Sequence, residues 1–343
     1  MSIVRLGTPR RGGIMARIYV DQLSTGQRVT DQVFLVRTKD LRTASNGKKY
    51  IHLVLGDRTG RLPGRIWDAS ESDFNQIPEG GYLRFTGRCE NYRGNPQFIV
   101  DGFRPADPDS LDMADFVPRT PGDVEAMWKE VKAALRTIKN RDLLALIKQF
   151  VADELFVQQF KQAPAAMERH HAYLGGLLEH THSLVRLVQV ICPLYPQLSG
   201  DLMIAGAFLH DVGKIAEIEA GAALNYTDDG MLVGHLVRGA IWIEQRVAAV
   251  EAETGQPFPA DLKEVLQHIV LAHHGEQQFG SPKSPAVAEA FALHYLDNLD
   301  AKLHQVFRHI DSDPDATSDW TQYVRPLGTR LLKRDVSDPD DDA

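Results

Sequence analysis

Residues 202–214, LMIAGAFLHDVGK, join an apolar helical segment directly to a histidine and an aspartate. The apolar positions recur at the three- and four-residue spacing of a helix that packs against a core. His210 and Asp211 follow at the end of this segment, where one carboxylate can lie between two cations and an imidazole can bind one of them. The stretch therefore predicts a helical domain and the place of a metal site within it.

The helical pattern continues on both sides of this stretch. Apolar residues recur at helical spacing in residues 124–138, 142–156, 174–191, 236–250, 262–274 and 285–307. We expect an all-α domain of about seven helices over residues 122–312, in which residues 124–160 pack onto the rest of the bundle. Residues 313–343 are expected to form a C-terminal extension, whose end, SDPDDDA, is typical of a solvated acidic tail.

Residues 29–103 have a different pattern, in which short β-rich runs alternate with turn residues. Five strands are predicted by the runs VTDQVFLVRT, KKYIHLVLGD, RLPGRIWDA, GYLRFTGRCE and NPQFIVDGF. Residues 69–77 predict one short helix after the third strand. Three strands, a helix and two strands is the order of an OB-fold, a barrel whose open face commonly holds oligonucleotides. We therefore expect an OB-fold domain over residues 15–105.

Two further segments complete the predicted organisation. Residues 106–121 are rich in Pro and Asp, which indicates a linker. Residues 1–14 contain a Gly-Gly pair and precede Met15, so we expect either a flexible leader or an upstream choice of start codon. The predicted fold class is an N-terminal all-β OB-fold barrel followed by an all-α helical bundle.

Composition excludes several classes of protein. The chain has no run of about eighteen apolar residues, and its basic N-terminus lacks the apolar segment of a secretory signal, so we expect a cytoplasmic protein. Its two cysteines, Cys89 and Cys192, form no CxxC pair, which excludes a disulfide framework and a thiolate zinc site. Any metal must therefore be bound by His and carboxylates.

Charge is divided unevenly along the chain. Residues 1–105 carry 17 Lys and Arg against 10 Asp and Glu, which leaves a net charge of −15 on residues 106–343 when the whole chain carries −8. A basic barrel is a candidate binder of polyanions, because cations follow phosphates and aromatic rings stack on bases.

Cations and aromatic rings alternate along the predicted strands, and about half of the rings are expected to fill the barrel. The full set is Lys39, Arg42, Lys48, Lys49, Arg84, Arg88 and Arg93 with Phe34, Tyr50, Trp67, Tyr82, Phe85 and Tyr92. The candidates for substrate contact are Lys39, Lys48, Tyr50, Arg88 and Tyr92.

Histidines and aspartates from five separate segments of the helical region form the candidate metal site. They are His180, His210, Asp211, His235, His273, His274 and Asp297. These ligand types suit Mn²⁺, Fe²⁺, Zn²⁺ or Mg²⁺. Two cations about 4 Å apart can hold a hydroxide against phosphorus and neutralise charge on the phosphoryl oxygens. The pattern therefore predicts hydrolysis of a phosphoester.

The order H…HD…H…HH…D resembles the HD superfamily of metal-dependent phosphohydrolases. Within that superfamily, HHAYLGGLLEHT, FLHDVGKI, LAHHGEQQFGSPKSP and ALHYLDNLDAK resemble the YhaM-type 3′-to-5′ exoribonucleases, which also carry an N-terminal OB-fold. The resemblance covers residues 16 to about 310. It implies a homo-oligomeric enzyme that shortens single-stranded RNA from the 3′ end and releases nucleoside 5′-monophosphates by two-metal-activated hydroxide attack. The resemblance also implies a preference for RNA over single-stranded DNA, which is the alternative substrate.

The same resemblance implies how the ligands are divided between two cations, with Mn²⁺ favoured. One cation is assigned to His180, His210, Asp211 and Asp297. The second is assigned to Asp211, His235, His273 and His274. Asp211 would thus bridge the two and act as a catalytic residue.

Further residues are assigned to the substrate by the same resemblance. Lys214, which follows Asp211 by one helical turn, matches the HDxGK pattern and would contact a phosphate oxygen as a second catalytic residue. His171, which follows His170 at the start of the HH segment, is a candidate for substrate contact. Ser281 and Lys283 lie in the loop before the predicted Asp297 helix and would position the terminal phosphate or ribose.

Other titratable residues of the helical region are left out of the site. Packed or surface positions are expected for His182, His268, His294 and His304. Asp300 lies three residues after Asp297 on a similar helical face, where it either orients a ligand or is solvated. We expect it to be solvated.

Two other functions remain open. A nucleotide or cyclic-dinucleotide phosphohydrolase would use a similar metal site, but HHGEQQFGSP lacks the GYP signature of cyclic-di-GMP hydrolases. A non-enzymatic nucleic-acid-binding factor would carry a vestigial metal site, whereas all seven predicted ligands are present.

Overall fold

The computed structural model describes residues 17–44, 47–92, 95–107, 110–112, 115–167, 171–220, 224–313, 315, 317–334 and 336. The predicted leader, Arg93, His170 and most of the acidic tail lie outside these ranges. The chain divides into two compact units, residues 1–118 and 119–343, and the division falls inside the stretch predicted as a linker. No helix in the described ranges combines the length and the apolar character needed to cross a bilayer.

The first unit contains a closed five-stranded barrel. Its elements are β1 (Arg28–Thr43), β2 (Lys49–Gly56), β3 (Arg61–Trp67), α1 (Glu71–Gln76), β4 (Tyr82–Tyr92) and β5 (Asn95–Pro105). The strands follow one another around the barrel in the order β1-β2-β3-β5-β4, and β1 also pairs with β4. The pairing of β3 with β5 is parallel, whereas the other pairs are antiparallel. The predicted OB-fold is confirmed.

β1 bends so that it takes part in both halves of the barrel. Residues 28–35 pair with β4 and residues 35–43 pair with β2, with a register shift between Val36 and Thr38. An extra residue at such a point bends the strand and increases its twist. Phe34 and Phe85, whose ring centroids lie 6.4 Å apart, are fully buried in the barrel core. These two predicted aromatics therefore fill the barrel.

The second unit is a bundle of helices around one buried core. Its helices are α2 (Val124–Leu135), α3 (Arg141–Val151), α4 (Glu154–Gln162), α5 (Gly176–Ile191), α6 (Gly200–Leu209), α7 (Lys214–Glu217), α8 (Asp228–Leu232), α9 (Gly234–Thr254), α10 (Ala260–Ala272) and α11 (Ala288–Asp311). The helical fold class is confirmed. Trp128, Phe150 and Phe156 from α2, α3 and α4 lie in the core, so residues 124–160 pack onto the bundle.

The short helices α7 and α8 and one hairpin of the second unit were not predicted, and the described ranges of this unit contain ten helices where about seven were expected. A hairpin of β6 (Ile218–Ala220) and β7 (Leu224–Tyr226) follows α7. Each strand has three residues, which is too short a window for alternation of polar and apolar residues to be read.

α6 lies in the middle of the bundle and fixes the end that carries the His-Asp pair. It packs against α2, α3, α5, α10 and α11, and its residues from Met203 to Leu209 are buried. Ser199 caps its start by accepting a hydrogen bond from the Leu202 amide at 3.3 Å. A Cβ at Gly206 would lie 3.0 Å from a methyl group of Ile269, so glycine allows α10 to approach closely. The end of α6 is thereby held inside the core.

Candidate metal centre

The seven predicted ligands come together inside the second unit. His180 lies in α5, His210 and Asp211 follow α6, and His235 is near the start of α9. The three others are His273 and His274, directly after α10, and Asp297 in α11. Their ligand atoms form two groups that meet at one carboxylate.

The first group surrounds one oxygen of Asp211. His180 Nε2 lies 3.1 Å from both His210 Nε2 and Asp297 Oδ1. Asp211 Oδ2 lies 3.3 Å from His210 Nε2 and 3.8 Å from His180 Nε2. These are the four residues assigned by resemblance to the first cation.

The second group faces the other oxygen of the same carboxylate. Asp211 Oδ1 lies 3.5 Å from His273 Nε2 and 3.6 Å from His235 Nε2. His235 Nε2 in turn lies 3.3 Å from His274 Nε2. The two carboxylate oxygens therefore point into two separate sets of imidazoles.

The side chains present fit divalent cations. Asp211 Oδ1 is buried and makes no well-formed hydrogen bond within the described ranges. Burying a carboxylate oxygen without a partner costs free energy, unless a cation binds it or a donor forms a hydrogen bond to it. His180, His210 and Asp211 form one set of ligand atoms with the spacing of a metal site, and His235, His273 and His274 form another.

A second contact holds each of the five imidazoles in orientation. Backbone carbonyls accept from Nδ1 of three of them: Ala207 from His210 at 3.0 Å, Val270 from His273 at 2.8 Å, and Phe279 from His274 at 3.0 Å. Carboxylates accept from the other two: Asp300 from His180 at 2.8 Å and Glu217 from His235 at 2.9 Å. Each contact leaves Nε2 aimed at the centre, as metal-binding histidines require.

Comparison with known proteins assigns both units to described families. The model of the OB-fold nucleic acid binding domain matches residues 32–106, and the HD domain model matches residues 177–302. The 3'-5' exoribonuclease YhaM of Bacillus velezensis is 34% identical over 289 residues, which are 83% of this chain and 88% of that protein. The chain belongs to the YhaM family.

Other members have a similar degree of likeness over most of their length. YhaM of a Geobacillus species is 33% identical over 91% of this chain and 93% of its own. YhaM of Listeria welshimeri is 35% identical over 81% of this chain and 87% of its own. Among solved structures, the second OB-fold domain of replication protein A from Methanococcus maripaludis is similar to 28% of this chain and all of that domain, with 20% identity and a TM-score of 0.23.

Buried charges shift the pKa values of several groups in this YhaM-family centre. Burial alone would lower the pKa of His180, but the carboxylates of Asp297 and Asp300 outweigh it and raise the pKa to about 10. Burial, followed by the neighbouring His273 and His235, lowers the pKa of His274 to about 3. His274 is therefore held neutral, in the form that binds a metal.

Lys214 contacts the bridging carboxylate directly. Its Nζ donates to Asp211 Oδ2 at 2.5 Å, and its side chain is almost fully buried. Burial alone would raise the pKa of Asp211, but the charge of Lys214 and then that of His210 hold it well below its usual range. The sequence predicted a contact with a phosphate oxygen for Lys214, whereas here it neutralises Asp211.

Two carboxylates beside the ligands were missed or misjudged from the sequence. Asp300 is not solvated as expected: its Oδ2 accepts from His180 and lies 3.3 Å from His171 Nε2, and its side chain is 15% exposed. Glu217, in α7, was not singled out, although it accepts from both the ring and the backbone amide of His235. Both carboxylates lie far in sequence from the histidines they contact, so no local pattern could predict these contacts. The only available signal was that Asp300 follows the predicted ligand Asp297 by three residues.

His171 lies behind the metal centre. It is 2% exposed and has a positive φ of 50°, and its Nδ1 lies 2.9 Å from the hydroxyl of Tyr173. Its ring is 4.0 Å from that of His304, and the Tyr173 hydroxyl lies 3.1 Å from His304 Nε2. The predicted substrate contact of His171 is at odds with this burial, because the side chain supports Asp300.

The loop after α10 also differs from the prediction. Ser281 is 2% exposed, and its hydroxyl is 2.8 Å from the carbonyl of Leu271 and 2.7 Å from that of Lys283. The Ser281 side chain therefore closes the loop instead of facing a substrate. Lys283 is exposed.

The exposed aromatic residues of the first unit cluster around one arginine. Arg65 Cζ lies 5.6, 5.3 and 5.0 Å from the ring centroids of Tyr50, Trp67 and Tyr92. The rings of Tyr50 and Trp67 are 5.1 Å apart, and Trp67 and Tyr92 are 44% and 46% exposed. We call Tyr50, Arg65, Trp67 and Tyr92 the aromatic face. The sequence analysis missed Arg65 because its contacts with the rings depend on which residues lie beside it on neighbouring strands.

The three barrel cations predicted to contact the substrate, Lys39, Lys48 and Arg88, have partners within the barrel. Lys39 donates to the Phe74 carbonyl at 2.7 Å and lies over the Phe74 ring. Lys48 pairs with Asp68 at 2.9 Å. Arg88 pairs with both Glu90 and Asp101. These contacts reduce the charge that the three side chains offer to a polyanion.

Proposed function

We propose that the protein hydrolyses single-stranded RNA from its 3′ end and releases nucleoside 5′-monophosphates. The observation that carries this proposal is the position of Asp211, whose two oxygens face two separate sets of imidazoles. Support also comes from the relatives, which are named 3'-5' exoribonuclease. The reaction breaks the bond between phosphorus and the 3′-oxygen of the preceding nucleotide.

Seven side chains would hold two divalent cations, of which Mn²⁺ is favoured. His180, His210 and Asp297 serve one position, and His235, His273 and His274 serve the other, with Asp211 shared. When bound, such cations lower the pKa of water and neutralise charge on the phosphoryl oxygens. Lys214 would transfer its hydrogen bond from Asp211 to a phosphoryl oxygen as the substrate enters, and so add a positive charge beside the reacting phosphorus.

The aromatic face supports a single-stranded polymer as the substrate. Three aromatic side chains and one guanidinium provide stacking surfaces and a positive charge in the same place. Stacking is tolerant of sequence because every base has a π face. Tyr50 and Tyr92, which were predicted to contact the substrate, are part of this surface. Lys39, Lys48 and Arg88 would contact a phosphate only after leaving their present partners in the barrel.

A gel assay with 5′-labelled single-stranded RNA and Mn²⁺ tests the proposal. We expect a ladder of shortened products and nucleoside 5′-monophosphates, with no comparable turnover of nucleoside triphosphates or cyclic dinucleotides. The variant His210→Ala/Asp211→Ala should lose hydrolysis but retain RNA, because the aromatic face is unchanged. Unaltered turnover in this variant would refute the assigned site. Turnover of cyclic dinucleotides alone would refute the assigned substrate.

The homo-oligomer predicted by resemblance has a candidate surface on α11. Its exposed large apolar side chains recur every four residues and form a stripe that winds partway around the helix, because four residues exceed one turn: Phe291, Tyr295, Leu299, Leu303 and Phe307. Self-association through this stripe would bury roughly 500 Å² per copy, which reaches the lower limit for a stable interface. We therefore propose that a second copy of the chain covers it.

Sedimentation velocity of the full-length protein tests this surface. Tyr295→Lys/Leu299→Lys should lower the sedimenting mass, because charges in the stripe oppose its burial. Tyr195→Lys, at another exposed aromatic position, should leave the mass unchanged. An unchanged mass in the double variant would exclude the stripe as the interface.

The predicted cytoplasmic location is a separate proposal, which cell fractionation tests.

A further inference from the structure

A groove opens next to the second group of ligands. It has a volume of about 260 Å³, and His235 and His274 form part of its wall. The remaining side chains of the lining are mostly apolar and include Leu236, Val237, Phe279 and Pro282. A ligand in this groove would therefore meet imidazoles and apolar side chains in the same site.

Phe279 is the large apolar side chain at the rim of this groove. It is 62% exposed, so it contributes little to the core. An exposed aromatic ring in the lining of a groove that also holds imidazoles is typical of a ligand-binding surface.

The backbone under Phe279 is held firmly although its ring is exposed. Its amide donates to the Glu276 carbonyl at 3.0 Å, and its carbonyl accepts from Nδ1 of the ligand His274 at 3.0 Å. Gly280 follows with a φ of +92°, a conformation that glycine adopts without strain. The backbone of Phe279 is therefore anchored directly to the ligand His274.

We propose that this groove binds the base of the 3′-terminal nucleotide and that the ring of Phe279 stacks on it. The inference rests on the proposed function, since that function brings the terminal phosphate to the imidazoles. A base linked to that phosphate through ribose extends one sugar away, toward the apolar wall. An aromatic side chain at this position offers the flat surface that a base requires.

The groove is expected to accept all four bases. Its polar side chains are committed elsewhere, because Nδ1 of His235 is bonded to Glu217 and Nδ1 of His274 is bonded to the Phe279 carbonyl. A site that discriminates between bases needs hydrogen-bonding groups aimed at base edges. Stacking without such groups suits an enzyme that removes successive nucleotides of any sequence.

Kinetics with the full-length protein test the inference. Phe279→Leu, which keeps an apolar side chain but removes the ring, should raise KM for an RNA dinucleotide about 10-fold and change kcat less than about 2-fold, because stacking is equal in the ground state and the transition state. Phe279→Trp, which keeps an aromatic ring, should have a KM close to that of the wild type. The matched control Tyr195→Leu removes another exposed aromatic ring, which is 56% exposed in the wild type, and should have no effect.

A second measurement does not depend on turnover. RNA carrying 2-aminopurine at its 3′ end and a non-hydrolysable terminal linkage is titrated into the full-length protein with Mn²⁺ present, where stacking quenches the fluorescence. We expect quenching by the wild type and by Tyr195→Leu, and markedly weaker quenching by Phe279→Leu. Absence of quenching by the wild type, or equal quenching by Phe279→Leu, would overturn the inference.

An abasic substrate separates this inference from the proposed function. A dinucleotide whose 3′ nucleotide lacks a base should have the same raised KM with the wild type and with Phe279→Leu. If RNA is degraded but the KM values of the wild type and Phe279→Leu differ by the same factor with and without the base, the inference fails while the function stands. If the wild type degrades no RNA, the proposed function fails.

Discussion

The metal centre and the aromatic face differ most in how their side chains are held. At the metal centre, every imidazole has its second nitrogen bonded to a carbonyl or a carboxylate, and most ligands are buried. On the aromatic face, Trp67 and Tyr92 are nearly half exposed, and the guanidinium of Arg65 lies over both rings. Chemistry on one phosphate requires ligands fixed to fractions of an ångström, whereas contact with a polymer of varied sequence requires surfaces that adapt. Substitutions should therefore be far more damaging at the metal centre.

The largest effect is expected for Asp211→Asn. The amide keeps the shape of the side chain but removes the charge shared by both ligand groups, so kcat on single-stranded RNA should fall about 1000-fold. Retention of RNA in a gel-shift assay should be unchanged. Asp261→Asn, at an exposed position of α10, is the control. A loss of less than about 10-fold would contradict the role of Asp211 as a bridge.

Asp300→Asn should have the next largest effect. The amide weakens the hydrogen bond that orients His180 without removing a ligand, so half-activation should require about 10-fold more Mn²⁺. Because a structural defect would lower kcat at all concentrations, recovery at saturating Mn²⁺ identifies a positioning role. Asp311→Asn, at the exposed end of α11, controls for lost charge. Equal Mn²⁺ dependence in all three proteins would show that Asp300 does not orient His180.

Trp67→Ala should weaken RNA retention about 10-fold, since one stacking surface is lost. Filter binding of a single-stranded oligonucleotide in EDTA measures this affinity without hydrolysis. Turnover of a dinucleotide should be unaffected, which separates the aromatic face from the metal centre. Trp320→Ala removes a tryptophan of comparable exposure from the second unit and should retain full affinity. Loss of dinucleotide turnover in Trp67→Ala would contradict the separation.

The smallest effect is expected for Lys48→Gln. Asp68 pairs with Lys48 and offsets its charge, so this side chain adds little to the attraction between the barrel and phosphates. RNA affinity should change less than about 2-fold when it is measured by filter binding at constant salt concentration. A 10-fold loss would show that the Lys48 ammonium leaves Asp68 for a phosphate, and would return this lysine to the predicted binding surface.

Local chemistry explains why the ligand types could be read along the chain. A metal site needs imidazoles and carboxylates whatever the surrounding fold, so His180, His210 and Asp297 stand out in apolar helices. The order of strands in the barrel was equally accessible, because alternation and turn residues are local signals. These signals were sufficient for the two fold classes and for the family resemblance.

Partner choice and burial depend on packing between segments that are far apart in sequence. Asp300 meets His180 across 120 residues, and Glu217 meets His235 only because α7 and α9 pack together. Ser281 is polar in a loop, yet it is buried by carbonyls that no local pattern reveals. Residue type and spacing thus specified which groups are available for chemistry. Helix and strand packing selected the contacts they make, because the free energy of a buried polar group depends on the neighbours that surround it.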